Sequence, residues 1–162
     1  MSKETWLQEY YPIAADSPEA TASPVAAVKH SIRKWHGLRS SALRHHKIKV
    51  VAGGLYGLRA VPSRATPFLR ITSTSCALCA LYKLNCWRCP LYAVRYRTCD
   101  IANEAGPSPY VMFLLSGDPE PMIHWLEAAL EFAETKAHVK SKARRMPDSA
   151  RQRRHCDVST NP

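Results

Sequence analysis

Two cysteine pairs carry the most specific chemistry in the chain: Cys76-Ala77-Leu78-Cys79 and, six residues on, Cys86-Trp87-Arg88-Cys89-Pro90. Paired Cys-x-x-Cys steps this close have the ligand spacing of a structural zinc site. Each pair turns tightly enough to put two thiolates on one side of a loop, and two such loops complete a tetrahedron. A closed tetrahedron leaves no coordination position for a substrate or a water. Zinc held by Cys76, Cys79, Cys86 and Cys89 is therefore expected as a staple, not a reaction centre. Cys99 is near enough in sequence to substitute for one ligand, and Cys156 is expected to be a free thiol in the tail.

Other cysteine chemistries fit less well. The opening Cys76-x2-Cys79-x6-Cys86 resembles half of the fungal binuclear zinc cluster, but only two residues separate Cys86 from Cys89 and no sixth ligand follows at the proper spacing. Cys89-Pro90 is a ferredoxin-like detail, without the ferredoxin run of closely spaced cysteine steps. A zinc-flanked nuclease of the His-Asn-His type needs a histidine motif beside the cysteines. His30, His36, His45 and His46 lie far upstream with no acidic partner. No acid, base and nucleophile fall together, so a non-enzymatic protein is expected.

Charge is distributed in blocks. From Ala20 to Cys99 there is no Asp or Glu, against fourteen Lys and Arg. From Asp100 to Glu134 there are seven acidic residues and no Lys or Arg, and from Lys136 onward eight basic residues accompany only Asp148 and Asp157. Blocks of this kind either create a field on one face or neutralise each other in the fold. If the basic block is exposed, Lys29, Arg33, Lys34, Arg39, Arg44, Lys83 and Arg88 are the candidates for phosphate contact. Arg144, Arg145, Arg151, Arg153 and Arg154 would extend that surface as a basic arm. Lys83 and Arg88, with Arg95 and Arg97, could also offset the double negative charge of a tetrathiolate zinc centre.

The 162 residues, about half of them apolar, suit one globular domain, expected over 1–139, with a basic, disordered tail over 140–162. No apolar run approaches the roughly 18 residues needed to cross a bilayer. Met1-Ser2-Lys3-Glu4 lacks the order of a secretory signal, which points to a reducing cytoplasm and to thiols rather than disulfides.

The elements that must position the cysteines follow from local pattern. Trp6, Leu7, Tyr10 and Tyr11 before Pro12 suit a short helix whose aromatic face anchors the terminus. A linker from Ala14 leads to Ser23-Pro24, a cap and first-turn proline that open a helix with the stripe Val25, Val28, Ile32 and Trp35. Gly37 is its expected terminator. A short helix ending at His46 follows, with His45 and His46 read as a solvated basic turn. Ile48 to Val51, Tyr56 to Val61 and Phe68 to Ile71 read as short strands leading into Cys76. Gly53, Gly54 and Gly57 lack the Gly-Lys-Ser/Thr ending of a phosphate loop. Ser108-Pro109 opens a short helix with Tyr110, Phe113 and Leu114 on one face and Gly117 closing it; a strand from Tyr110 to Leu115 is the competing reading. Asp118-Pro119-Glu120 opens the longest helix, with the stripe Met122, Ile123, Leu126, Ala129, Leu130 and Ala133. Glu127 and Glu131 form a solvated pair on its other face. The fold class expected is α+β, with helices towards both ends, a few strands between, and a zinc loop on the surface.

Several segments in this order resemble a group of small, uncharacterised proteins encoded by bacteriophages and prophages. They are Trp6-Leu7-x-Glu9-Tyr10-Tyr11-Pro12, His30-Ser31-Ile32-Arg33-Lys34-Trp35, the two cysteine pairs with Pro90-Leu91-Tyr92, and Gly117-Asp118-Pro119-Glu120-Pro121-Met122-Ile123. The resemblance spans most of residues 5–134. It implies a phage-related setting in a bacterial host and is consistent with the zinc knot, and it implies no activity. Two functions are expected from different classes. One is a zinc-stabilised protein that contacts DNA or RNA through a basic surface. The other is a phage accessory protein that inhibits a host protein, of the anti-defence type, by direct binding.

Overall fold

In the computed structural model, residues 2–52, 68–99 and 106–145 are described. Seven helices dominate these residues: α1 (Lys3–Tyr10), α2 (Pro24–His36), α3 (Ser40–His46), α4 (Ala77–Tyr82), α5 (Pro90–Arg95), α6 (Pro109–Ser116) and α7 (Glu120–Arg145). Two four-residue strands, β1 (Lys49–Ala52) and β2 (Phe68–Ile71), form the sheet among the described residues. Helices stand towards both ends as expected, but the α+β assignment needs correction towards a mainly helical fold. The segments around the cysteines fold as short helices, and Ser108-Pro109 starts a helix as expected.

The helix starts follow from local chemistry. Ser23 Oγ accepts a hydrogen bond from the Ala26 N–H at 3.1 Å, and Ser108 Oγ accepts one from Val111 at 3.3 Å. Asp118 Oδ1 accepts from the Glu120 N–H at 3.0 Å. Each side chain satisfies a donor that the first turn leaves without an intrahelical partner.

Helix α7 is the spine of the core. It packs on α2, α5 and α6, while α2 also packs on α4. Its buried stripe is Met122, Ile123, Trp125, Leu126, Ala129 and Ala133; Leu130 is half-buried, and Glu127 and Glu131 are exposed. Trp125 was not in the expected stripe. It closes the gap to α5, donating from Nε1 to the Leu91 carbonyl at 3.1 Å. Beyond Ala133 the described side chains of α7 are exposed, and the helix runs to Arg145, past the domain end expected at residue 139.

The strand pair is parallel, with Lys49 opposite Phe68 and Ala52 opposite Ile71. A parallel pair cannot close through a two-residue turn. The expected strand at Tyr56 to Val61 lies outside the described residues, as does the connection.

Gly37 does end α2, but for a reason other than the one expected. Its φ is −66°, an ordinary right-handed value, so no left-handed turn demands glycine. The demand is steric. A Cβ there would lie 2.5 Å from Tyr10 Cγ and 2.8 Å from Trp6 Cε2, and the Trp6 indole N–H donates to the Gly37 carbonyl at 2.7 Å. Gly37→Ala is expected to push α1 off α2 and cost about 1–3 kcal/mol in a urea melt. A neutral result would show that α1 moves freely on the core.

Candidate metal centre

The chain enters the cysteine region through a 3-10 turn at Ser73–Ser75. Cys76 caps α4 and Cys79 lies in its first turn. Lys83 and Leu84 then both take left-handed φ values, 50° and 61°, which fold the chain back sharply. Cys86 begins a second 3-10 turn, and Cys89 precedes Pro90 at the start of α5. Leu78 and Leu91 are buried in the common core, so the knot is clamped onto the fold instead of lying loose on the surface.

Cys76, Cys79, Cys86 and Cys89 line one cavity of about 20 Å³, and Cys99 lines it with them. That volume holds roughly one water-sized body. That is room for a single ion. Among the described residues, no three His, Cys, Asp or Glu side chains converge on a common ligating point; the sulfurs ring the cavity instead.

The thiols already act on one another. The Cys79 thiol donates to Cys76 and holds it well below the usual thiol range, against burial. The Lys34 charge and the backbone N–H groups of Cys79 and Leu78 reinforce this, as expected of a sulfur at a helix N-terminus. Cys79 moves up, because its proton is kept in that bond and it is buried among other sulfurs. Burial pushes the Cys89 thiol up to about 11.

Lys34 overturns its place among the phosphate contacts. It is 2 % exposed, and its Nζ donates to the Ser75 carbonyl at 2.6 Å. Burial lowers its proton affinity, and the sulfurs of Cys76, Cys79 and Cys99 raise it. No carboxylate pairs with it among the described residues. A buried ammonium needs opposite charge nearby, and among the sulfurs it faces Cys76 is the one held towards its thiolate form. An all-sulfur donor set beside a buried cation has the chemistry to hold a thiophilic divalent ion. Lys34 was not legible as part of this cluster from spacing alone, although its approach in space follows from α2 lying on α4. Cys99, expected as a substitute ligand, stands on the wall of the same cavity.

The basic block divides. Lys29 pairs with Glu134 at 3.0 Å, and Arg39 makes a two-pronged pair with Glu120 at 2.6 and 3.0 Å. The acidic helix therefore neutralises part of the basic segment, one of the two outcomes the charge blocks allowed. Arg33 donates to the carbonyls of Glu9 and Gln8. Arg44 is exposed on α3, away from the cysteines, and Lys83, Arg88 and Arg95 are exposed around them. Arg97 lies over the Trp125 ring at 5.6 Å. Of the tail candidates, Arg144 and Arg145 belong to the last turn of α7, and Arg151, Arg153 and Arg154 lie outside the described residues, as does Cys156.

His46 is not part of a solvated turn. It is 1 % exposed, with Nδ1 2.9 Å from Thr5 Oγ1 and Nε2 3.2 Å from Glu9 Oε2. A hydroxyl, an imidazole and a carboxylate in a line have the outline of a catalytic triad. Here the Thr5 hydroxyl donates to the Ser2 carbonyl at 2.9 Å, so its proton is already committed. The arrangement ties α1 to α3.

Among the described residues no helix is long and apolar enough to cross a membrane. Comparison with protein-family models, with curated proteins and with solved structures finds no match for this chain.

Proposed function

We propose that this chain is a non-enzymatic, phage-type binding protein folded around one zinc ion, and that it contacts nucleic acid through the surface of its cysteine knot. Cys76, Cys79, Cys86 and Cys89 are the ligands, Cys99 stands beside them as a reserve sulfur, and Lys34 supplies buried compensating charge. The observation that carries the nucleic-acid reading is how the cations are shared out. Lys29, Arg33, Lys34 and Arg39 are engaged within the fold, while Lys83, Arg88 and Arg95 are exposed beside the knot without a carboxylate partner among the described residues.

Such a surface binds phosphate and releases counterions. Fluorescence anisotropy with labelled DNA and RNA, in salt from about 50 to 200 mM, is the test. Three or four phosphate contacts give a log–log slope of about −2 to −4. Absence of binding to every nucleic acid in low salt would overturn the reading. Should a stoichiometric complex with a host protein then form in nuclease-treated extract, the inhibitor reading takes its place.

A further inference from the structure

The cysteine knot carries more than charge. Trp87 and Tyr96 are 72 % and 80 % exposed, unusual for such large rings. Tyr92 stands between them, 4.8 Å from the Trp87 ring and 6.3 Å from the Tyr96 ring, both edge-on. The chain's other tryptophans, Trp6, Trp35 and Trp125, are all buried. Exposing an indole and a phenol side by side forgoes the burial that these rings otherwise provide.

The row leads into a groove of about 420 Å³ between the knot and α7. Trp87 and Arg88 line one wall. Phe132, Lys136 and Lys140 line the other, with Lys136 Nζ 5.2 Å from the Phe132 ring. No acidic residue lines the groove, and the nearby Glu134 is turned to Lys29. Trp87 thus belongs both to the aromatic row and to a groove lined by Arg88, Phe132, Lys136 and Lys140.

From this juxtaposition we infer that the Trp87–Tyr92–Tyr96 row and the adjoining groove form a binding site for single-stranded nucleic acid. Bases stack on the exposed rings, and the backbone runs past Arg88, Lys136 and Lys140. Trp87 and Tyr96 are the exposed rings of the row, and only bases freed from a duplex can lay their faces on them. A duplex keeps its base faces covered and has nothing to offer the rings. The inference rests on the nucleic-acid reading above and narrows it to one class of ligand.

The test uses the full chain with an oligothymidylate of about twelve nucleotides and a duplex of equal length. Trp87 is the exposed tryptophan, so its fluorescence reports directly. The oligothymidylate is expected to quench it and to bind more tightly than the duplex at the same salt. Read by the anisotropy of a labelled oligothymidylate, which does not depend on the Trp87 signal, Trp87→Ala and Tyr96→Ala should each weaken that binding about 5- to 150-fold. Because both side chains are solvent-exposed, circular dichroism and zinc content should stay unchanged. Duplex binding equal to single-strand binding, or single-strand binding unaffected by both substitutions, overturns the stacking site and leaves the basic-surface reading in place. Failure to bind any nucleic acid overturns both. A protein complex that depends on Trp87 and Tyr96 while oligonucleotides do not compete would make the row a protein interface and overturn the inference.

Discussion

Chelation of the proposed zinc is expected to melt the segment from Cys76 to Cys99 and to remove about 10 kcal/mol or more of folding free energy. That is comparable with the whole net stability of an ordinary domain. Apart from the packing of α4 on α2 and of α5 on α7, the segment has few apolar anchors. Its fully buried apolar side chains are Ala77, Leu78 and Leu91, whereas Leu84, Trp87 and Tyr96 face solvent. Lys83 and Leu84 in left-handed conformations add strain, of order 1–3 kcal/mol each. Inductively coupled plasma analysis should find one zinc per chain, lost in Cys76→Ser and kept in Cys99→Ser. A melting curve unchanged by a strong chelator would sink the metal assignment.

Acid should act in the same direction as the chelator. Cys79 and Cys89 are raised and must release their protons to bind metal, while Cys76 is held lower by the Cys79 thiol. Each proton released makes affinity fall about tenfold per unit drop in pH. Zinc binding should therefore weaken by about a hundredfold or more per unit of acidification. A competition titration with a chromogenic chelator at several pH values reads this slope. A flat profile would mean that the sulfurs do not ligate.

The second large effect is expected at Trp125. Truncation to Ala empties the contact between α7 and α5, removes the perch of the Arg97 guanidinium and leaves the Leu91 carbonyl without its donor. Loss of a buried tryptophan side chain costs about 3–5 kcal/mol. Trp125→Phe keeps much of the packing and loses the indole N–H, for about 1–3 kcal/mol. Because Leu91 lies in α5, two residues after Cys89, the Ala variant should also bind zinc more weakly than the Phe variant. Urea melts with and without chelator separate the two contributions. A cost below about 1 kcal/mol for Trp125→Ala would show that α7 does not anchor the knot.

Local chemistry was readable where one residue decides the outcome for its neighbours. Ser23-Pro24, Ser108-Pro109 and Asp118-Pro119-Glu120 each start a helix because a cap oxygen and a proline act within a single turn. The stripe of α7 was readable for a similar reason, since burial on one face recurs every three or four residues. Trp125 escaped that reading because a wide core-facing stripe has an edge, and which residue stands there depends on what packs against it. Gly37 was placed correctly at a helix end, yet its steric necessity comes from Tyr10 and Trp6, nearly thirty residues or more away in sequence. His46 was misread for the same reason: its partners Thr5 and Glu9 belong to another helix.

The amino-acid order alone determined the two cysteine pairs, the helix starts and the blocks of charge, because spacing and composition are properties of the chain itself. Only the tertiary structure decided which charges survive. α7 lies along α2, so Glu134 meets Lys29, while Glu120 reaches Arg39 beyond the end of α2. Lys34 is turned inward towards the sulfurs, while Lys83, Arg88 and Arg95 beside the knot and Arg44 on α3 stay exposed without a carboxylate partner among the described residues. Electrostatic pairing acts through space over a few ångströms, and a linear sequence does not record which distant residues come that close.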